Sequence, residues 1–490
     1  MKLKKVVLLN LIPHEAPTFK KRAALRAGMG YIAQALNDNG IECRAIDIAL
    51  GYTFNGLLDA IADYKPGLIG ITLLTFRYKD SYGMIARIKQ RFPGIQIVCG
   101  GAHLSTFREK VLEECGAIDL GVVGEGEETI VSICKEMDPA GIPGLIFRKD
   151  GKIMFTGDRP YKENLDGLGF PKYTGFELEN YPLKATPVAE RIIPIVASRG
   201  CPYDCIYCPV KTAIGQKYRA RSVAGLITEL KYWYALGYRR FSFVDDNFTL
   251  QCERIDQFCC EITKNGLTGL TLSLPNGIRA DKVDRELLKK MYSVGFRYIG
   301  FGVEGGNNRI LKNLKKHEKI ETIGAAVKNA CDLGYYVDLY FILGSPGETK
   351  ADVMDSVNFS AKHPVENAYY FNLIPYPCTE LFDWVKVNGN FIYPYEYYLN
   401  RIHSQMNKPV FETREFTGTE RAQMLRFTKA AEKNRKISLF MKKHSLNGSL
   451  AKALSAVYLS QPFQRLLNDN ASAAGLKDKV KKIWQPRSSR

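Results

Sequence analysis

No stretch of this 490-residue chain approaches the ~20 consecutive apolar residues that a membrane-spanning helix needs. A secretory signature is missing too. The amino terminus, Met1-Lys-Leu-Lys-Lys-Val-Val-Leu-Leu-Asn, has an apolar part of only Val6 to Leu9 and no small-residue cleavage site behind it. It reads better as a first strand than as a signal peptide. Twelve cysteines show no disulfide-rich character, which fits a reducing cytoplasm. Acidic residues are scarce at the carboxyl end: from Arg421 to Arg490 sixteen Lys/Arg face three Asp/Glu, a net of +13 out of the chain's +18. The rest of the chain is only mildly basic. With 46% apolar and 24% charged residues, the composition is that of an ordinary globular protein, long enough for two or three domains.

What is present is a run of three close cysteines. Cys201, Cys205 and Cys208 stand in Ser-Arg-Gly-Cys-Pro-Tyr-Asp-Cys-Ile-Tyr-Cys-Pro, spaced C-x3-C-x2-C, directly after the apolar stretch Ile192 to Ala197. That stretch reads as a buried strand. Thiolates so near one another, on a loop held by a rigid strand, can point into one volume of cluster size. Iron–sulfur cubes are normally held by four thiolates; three local ones leave one iron open to a small molecule. Half of a zinc site is the competing reading, but no downstream C-x2-C or H-x3-H completes it. Plain packing of buried cysteines is the other.

This loop, with the aromatic Tyr207 before its last cysteine, resembles the cluster motif of the radical S-adenosylmethionine (SAM) enzymes. The resemblance implies a [4Fe-4S] cluster on Cys201, Cys205 and Cys208, with SAM on the open iron.

Residues 1–140 alternate strand and helix, with Val6–Leu9, Cys43–Ile48, Leu68–Leu73 and Ile95–Cys99 as strands. The pattern predicts an α/β, doubly wound, flavodoxin-like sheet, which places ligands at the carboxyl ends of its strands. The phrases Lys65-Pro66-Gly67-Leu68-Ile69-Gly70-Ile71-Thr72, Val98-Cys99-Gly100-Gly101-Ala102-His103 and Val123-Gly124-Glu125-Gly126-Glu127-Glu128-Thr129 resemble the cobalamin-binding domain of cobalamin-dependent radical SAM enzymes. The resemblance implies cobalamin held at Leu74, Thr75, Gly100, Gly101, His103, Gly124, Glu125 and Gly126. Turn-making in a flavodoxin-like sheet is the plainer account of these glycines. The D-x-H-x-x-G motif of a lower axial histidine is absent: His14 lies in roughly the right loop, but Ile12 and Pro17 replace the Asp and Gly. Histidine ligation is therefore not expected. The loop near Leu73 to Arg77 is expected over the lower face, and His103 as a hydrogen-bonded loop residue.

Residues 141–191 are expected to link the domains and hold them face to face. Residues 192–375 repeat the alternation, with strands proposed at Ile192–Ala197, Arg240–Val244, Leu270–Leu274, Tyr298–Gly302 and Val337–Leu343. This resembles the partial (β/α)6 barrel of radical SAM enzymes, with chemistry at the carboxyl ends of strands. The strand-end phrases carry the likeness: Asp245-Asp246-Asn247; Asn276 and Arg279; Gly302-Val303-Glu304-Gly305-Gly306; and Gly344-Ser345-Pro346-Gly347-Glu348-Thr349. It implies SAM contacts from Tyr207, Asp245, Asn276, Arg279, Glu304, Gly344, Pro346 and Gly347. Each also has a plainer reading, a helix cap for Asp245 and a capped connection for the Gly-Pro-Gly-Glu turn. Arg219 and Arg221 are expected beside the cluster or in solvent.

Residues 376–490 form an aromatic, then basic and helical region. Cys378 replaces a glycine of the family phrase ending Pro-Gly-Thr, and aromatics crowd Phe382 to Tyr398, as a substrate wall or an ordinary core. Helices are expected over Glu420–His444 and Leu450–Leu467, the latter with Leu450, Leu454, Val457, Phe463 and Leu467 on one face. A basic amphipathic helix suits an anionic membrane surface, an anionic substrate or solvent; no RNA-binding motif is visible.

The resemblance implies an enzyme: SAM is cleaved reductively, with electrons from a flavodoxin or ferredoxin, to a radical that takes hydrogen from an unactivated carbon. Methylcobalamin then methylates that carbon of a small-molecule or lipid substrate. Cyclisation, ring rearrangement or oxidation by the same cofactors is the second expectation. A non-catalytic, cobalamin- or redox-responsive binding protein is the third.

Overall fold

In the computed structural model, which describes residues 3–11, 23–181, 184–185 and 189–460, two sheets carry the chain. The first contains β1 (Lys5–Asn10), β2 (Glu42–Asp47), β3 (Leu68–Thr72), β4 (Gln96–Gly100) and β5 (Leu120–Val122), all parallel in the order 2-1-3-4-5. This is the expected flavodoxin-like winding. Its logic is visible in β1. Val6 and Leu8 pack with Met29, Leu36 and Ile130 from helices Ala27–Asp38 and Glu127–Cys134. Val7 and Leu9 pack on the opposite face with Leu57, Ile61 and Ile85 from helices Phe54–Tyr64 and Tyr78–Arg91. A strand covered on both faces needs an unbroken apolar run, and period 2 divides it between two cores.

Two further strands extend this sheet antiparallel, β6 (Leu145–Lys149) and β7 (Lys152–Phe155). They fall in the segment expected to link the domains. Asp150 and Gly151 turn the hairpin with φ of 50° and 75°, the left-handed pair that a two-residue Asp-Gly loop favours. Farther along, Tyr173 is buried against Gly30, where an added Cβ would lie 2.7 Å from its ring, and near Trp233. The linker thus wedges between helix Ala27–Asp38 and helix Val223–Ala235 of the second unit.

The second sheet is an open barrel of six parallel strands in sequential order: β8 (Ile193–Ile195), β9 (Arg240–Phe243), β10 (Thr271–Ile278), β11 (Phe296–Glu304), β12 (Tyr336–Leu343) and β13 (Asn367–Asn372). Five were proposed from sequence; β13 supplies the sixth. Outward residues such as Phe241, Leu272, Phe301, Leu339 and Phe341 are buried under the helices. Inward residues such as Val244, Ser273, Tyr340, Ile342 and Phe371 stay half-buried, so the lumen is open. The edge at β13 is covered by helix Gly418–Lys443: Glu432 accepts from Ala368 N at 3.0 Å and Arg435 donates to Val365 O at 2.8 Å. Covering an edge this way removes unpaired ladder groups.

The aromatic segment is anchored in the core by Phe382 and Tyr398, while Tyr397 is exposed. Tyr398 and Leu399 are buried with Tyr78 and Ile85 of the first unit, Arg77 N donates to Leu399 O at 2.9 Å, and Lys79 N to Asn400 Oδ1 at 2.8 Å. The last described helix, Ser449–Tyr458, packs on helix Gly418–Lys443 through Phe440 and Tyr458. Ile12, His14, Pro17, Phe463 and Leu467 lie outside the described residues. Among the described residues, no helix is long and apolar enough to cross a membrane.

Candidate active site

The carboxyl ends of β1, β3, β4 and β5 face those of β8 and β9 across a cavity of about 400 Å³. Its first-unit walls are Leu9, Met29, Ile71 and Val122, with the glycine turns Gly100-Gly101 and Gly124-Glu125-Gly126 at the rim. Val196, Ser198, Arg199, Val244, Asp245 and Asp246 close it from the barrel. Gly101 has φ 103°, and a Cβ there would come within 3.0 Å of Leu73 O. At Gly28 and Gly124 an added Cβ would meet no protein atom within 4 Å, so bare backbone borders the cavity. An apolar crevice with glycine rims at the switch point of a doubly wound sheet suits a large planar cofactor. The residues present fit cobalamin.

Of the residues expected around that cofactor, Gly100, Gly101, Gly124, Glu125 and Gly126 meet at the cavity; Leu74, Thr75 and His103 do not line it. Leu74 is exposed. His103 is buried in an aromatic cluster, stacked on Tyr78 at 4.5 Å with Tyr82 Oη 2.8 Å from Nε2. Burial pushes its pKa down to about 3, so the ring stays neutral. It is hydrogen-bonded, but in the short helix Ala102–Phe107 rather than in the expected loop.

The cysteine loop leaves β8 through Gly200, at φ 84°. Cys208 N donates to Cys205 O at 3.1 Å, and Ile206 is pinned by Leu314 O and Leu381 N at 3.2 and 2.9 Å. Burial pushes the Cys205 thiol up and the Cys208 thiol to about 12, and the neighbouring cysteines add to both. Such thiols deprotonate only beside a strong positive charge, which a bound metal cluster provides. Among the described residues no three His, Cys, Asp or Glu side chains are placed to hold a metal ion. Ligands around a multi-iron cube stand farther apart than those around one ion. The three half-buried thiols on one pinned loop fit an iron–sulfur cube.

Around this loop the strand ends gather. Glu304, at the end of β11, adopts a left-handed backbone (φ 67°), strain of the kind that collects at functional sites. Its carboxylate accepts from Lys316 Nζ at 3.3 Å, and burial with that carboxylate nearby pushes the Tyr207 hydroxyl well above its usual pKa, so the cluster loop and β11 meet there. Lys316 is buried and also reaches Glu318 at 3.6 Å. Asp245 is buried and accepts from Ala197 N at 3.2 Å and Ser198 Oγ at 2.5 Å; burial pushes its pKa up to about 6. Burial pushes the Asp246 carboxyl up from its usual pKa. Asn247 Nδ2 lies 4.0 Å from Cys201 Sγ.

Arg279 has its donors engaged: Nε with Asp281 at 2.9 Å, Nη1 with Lys316 O at 2.7 Å, Nη2 with His317 O at 3.0 Å. Its guanidinium stacks over Tyr203 at 3.6 Å. It ties the Lys316 loop to the cysteine loop. Asn276 is exposed and donates to Val244 O at 2.9 Å. Gly344 and Gly347 have φ of 117° and 67°, and Pro346 O accepts from Asn313 at 2.8 Å. Arg221 is paired with buried Glu229, away from the cluster. Cys378 is exposed, with a left-handed backbone (φ 66°) and its Sγ 3.7 Å from Thr106 O. Glycine adopts that conformation without strain, which explains the family's preference.

Sequence reasoning missed Lys316 and the bridge between the units. Arg199 donates to Glu125 at 2.9 Å and Glu127 at 2.6 Å, and Arg219 to Glu125 at 2.9 Å. Burial opposes ionisation of Glu125, but the two guanidiniums outweigh it and hold its carboxyl below the usual range. The signal for Arg199 was its place, two residues ahead of Cys201; Lys316, in a loop, had none.

Comparison with known proteins agrees with this geometry. The B12 binding domain family matches residues 25–133 and the radical SAM superfamily residues 195–360. The chain is similar to "Uncharacterized methyltransferase PH0819" of Pyrococcus horikoshii, 28% identical over 81% of this chain and 85% of that one. It is 25% identical to "Anaerobic magnesium-protoporphyrin IX monomethyl ester cyclase" of Cereibacter sphaeroides, over 69% of this chain and 58% of that one. The solved structure of the radical S-adenosylmethionine methyltransferase TsrM from Kitasatospora setae, with cobalamin and [4Fe-4S] cluster bound, shares the fold at TM-score 0.63. It is 20% identical, and the match covers 79% of each chain. The chain thus carries a segment of the radical SAM superfamily, preceded by a segment of the B12 binding domain family.

Proposed function

We propose that this enzyme methylates an unactivated carbon of a small molecule with a [4Fe-4S] cluster, SAM and cobalamin. The observation that carries the reading is the single cavity into which both sets of strand ends open, with the glycine rims on one side and the strand leading to Cys201 on the other. When bound, the cluster and SAM supply a carbon-centred oxidant, and cobalamin supplies the methyl group.

The chain's own residues hold and orient. Cys201, Cys205 and Cys208 ligate the cluster. Glu304, fixed by Lys316, offers its carboxylate to the hydroxyl or amino groups of SAM, and the Gly344–Glu348 turn offers backbone to the adenine. Asp245 fixes the end of β8, so the cysteine loop leaves at a set angle. The apolar walls keep water from the reacting atoms. An external one-electron donor such as flavodoxin or ferredoxin completes the system.

The test is anaerobic reconstitution with iron, sulfide and cobalamin, followed by reduction in the presence of SAM and candidate substrates. Formation of 5′-deoxyadenosine together with S-adenosylhomocysteine and a product heavier by one CH2 is expected. Absence of both nucleosides with the cluster intact would sink the reading. Similarity to the cyclase favours one second reading, radical chemistry without methyl transfer, for which the product gains no CH2. Contact of the basic tail with an anionic membrane rests on the charge of residues 421–490. Sedimentation with anionic liposomes, lost on deleting Lys442 to Arg490, is its test.

A further inference from the structure

Helix Gly418–Lys443 sends one arginine into the interior. Arg421 is fully buried, although it counts toward the basic tail in the sequence. Its guanidinium lies over the rings of Phe411 and Phe416 at 4.2 and 5.3 Å, and Nη1 donates to Phe411 O at 2.9 Å. Nε and Nη2 have no hydrogen-bond partner. An ionised group buried with two N–H groups unpaired is costly, and a neutral side chain would pack there at less expense. Its charge therefore needs a reason.

The reason lies in the turn after β12. A Cβ added to Gly344 would sit 2.7 Å from Arg421 Nη1 and 2.9 Å from Cζ, so the guanidinium rests directly against that backbone. The N–H groups of Gly344 and Ser345, the latter at 3.1 Å, donate to one oxygen of Glu348, itself buried. One stretch of backbone is thus gripped by the Glu348 carboxylate and the Arg421 guanidinium, which attract each other. We propose that Arg421 is a positioning residue for the Gly344–Glu348 turn, fixing the backbone that receives the nucleoside end of SAM. The proposal rests on the assignment of that turn to the SAM site. It makes SAM affinity depend on a helix outside both family-matched segments.

The charges around Glu348 give the sign of the effect. Arg421 faces it from the carboxyl-terminal helix and Asp352 from helix Lys350–Ala361. Asp352 is itself held by Arg309, Asn307 and Thr349, and Glu412 faces Arg421 from the far side. Burial pushes the Glu348 pKa up to about 7, against the pull of its two N–H donors and Arg421. Without the guanidinium charge, Glu348 protonates at higher pH, and a neutral carboxyl is the weaker acceptor. SAM affinity should then fall on acidification from a higher midpoint.

The experiment measures SAM dissociation constants across neutral pH for the reconstituted full chain, with iron content and cobalamin affinity as controls. Arg421→Gln is expected to bind SAM about tenfold more weakly, with a raised pH midpoint and unchanged iron and cobalamin. Arg421→Lys should recover most of the affinity and the midpoint. SAM binding within about twofold of the parent in Arg421→Gln, or parallel loss of iron, cobalamin and SAM, overturns the proposal. If Arg421→Gln does not fold, the double variant Arg421→Gln/Glu348→Gln removes both buried charges together, a change cores often tolerate. Weak SAM binding without pH dependence in that variant supports the proposal; parental affinity overturns it. A parent protein that keeps its cluster yet binds no SAM overturns the SAM-site assignment itself.

Discussion

Arg199 Nη2 lies 2.6 Å from Glu127 Oε1, joining the strand that leads into the cysteine loop to the turn that rims the first-unit cavity. Its Nη1 takes Glu125 at 2.9 Å, and its plane stacks over Tyr31 at 4.8 Å. One planar fork thereby ties the two units together at the cavity they both line. Arginine suits this task because its donors are fixed in one plane, whereas a lysine presents a single point charge.

Arg199→Met should leave the poorly exposed Glu127 carboxylate without its ion pair and Glu125 with Arg219 alone. Breaking such a buried pair costs about 3 kcal/mol; thermal melting should fall accordingly, and cobalamin affinity with it. Arg199→Lys should lie between. Parental melting and cobalamin affinity in Arg199→Met would remove the bridge from the account.

Both sheets were legible because a parallel strand buried on two faces announces itself as an apolar run: Val6–Leu9 and Leu68–Leu73 needed no other clue. β13 was not, because its Asn-Ala-Tyr-Tyr-Phe-Asn run has polar ends and lumen-facing aromatics. The β6–β7 hairpin has its signal in Asp150-Gly151. At the site, residues inside contiguous phrases were visible. Lys316 and Arg421 were not: folding brings Lys316 beside the Glu304 and Glu318 carboxylates and Arg421 beside the Gly344 backbone, and a charge tally places Arg421 in a solvated tail.

The cysteine loop makes a sharp prediction. Cys205→Ala should lose most reconstituted iron and its charge-transfer absorbance, and with them SAM cleavage, while cobalamin still binds the first unit. Iron content and a cobalamin titration read the two halves separately. SAM cleavage at the parental rate in Cys205→Ala would reject the cluster assignment.

His103 gives a pH prediction. Burial depresses its folded pKa to about 3, below the ordinary value near 6.5. The unfolded chain therefore binds the extra proton between these values, so its contribution is whole above about 6.5 and is lost as pH falls toward 3. By pH ~4.5 the loss amounts to about 3 kcal/mol. His103→Gln cannot titrate, so the gap in melting temperature between variant and parent should shift in the variant's favour on acidification. Its cobalamin spectrum should match the parent's. A spectral change would restore His103 as a ligand.

Gly28→Phe tests the cavity with little damage to the fold. Gly28 lies in the first turn of helix Ala27–Asp38, lines the cavity, and an added Cβ would meet no protein atom within 4 Å. Replacing a helical glycine generally gains a few tenths of a kcal/mol, so melting should hold or rise. A ring at this position borders the space assigned to cobalamin. Cobalamin affinity should therefore drop by about tenfold or more, while iron content and SAM affinity persist. Because a destabilised protein would lose all three, selective loss separates occlusion from unfolding, and parental cobalamin affinity in Gly28→Phe would move the cofactor out of this cavity.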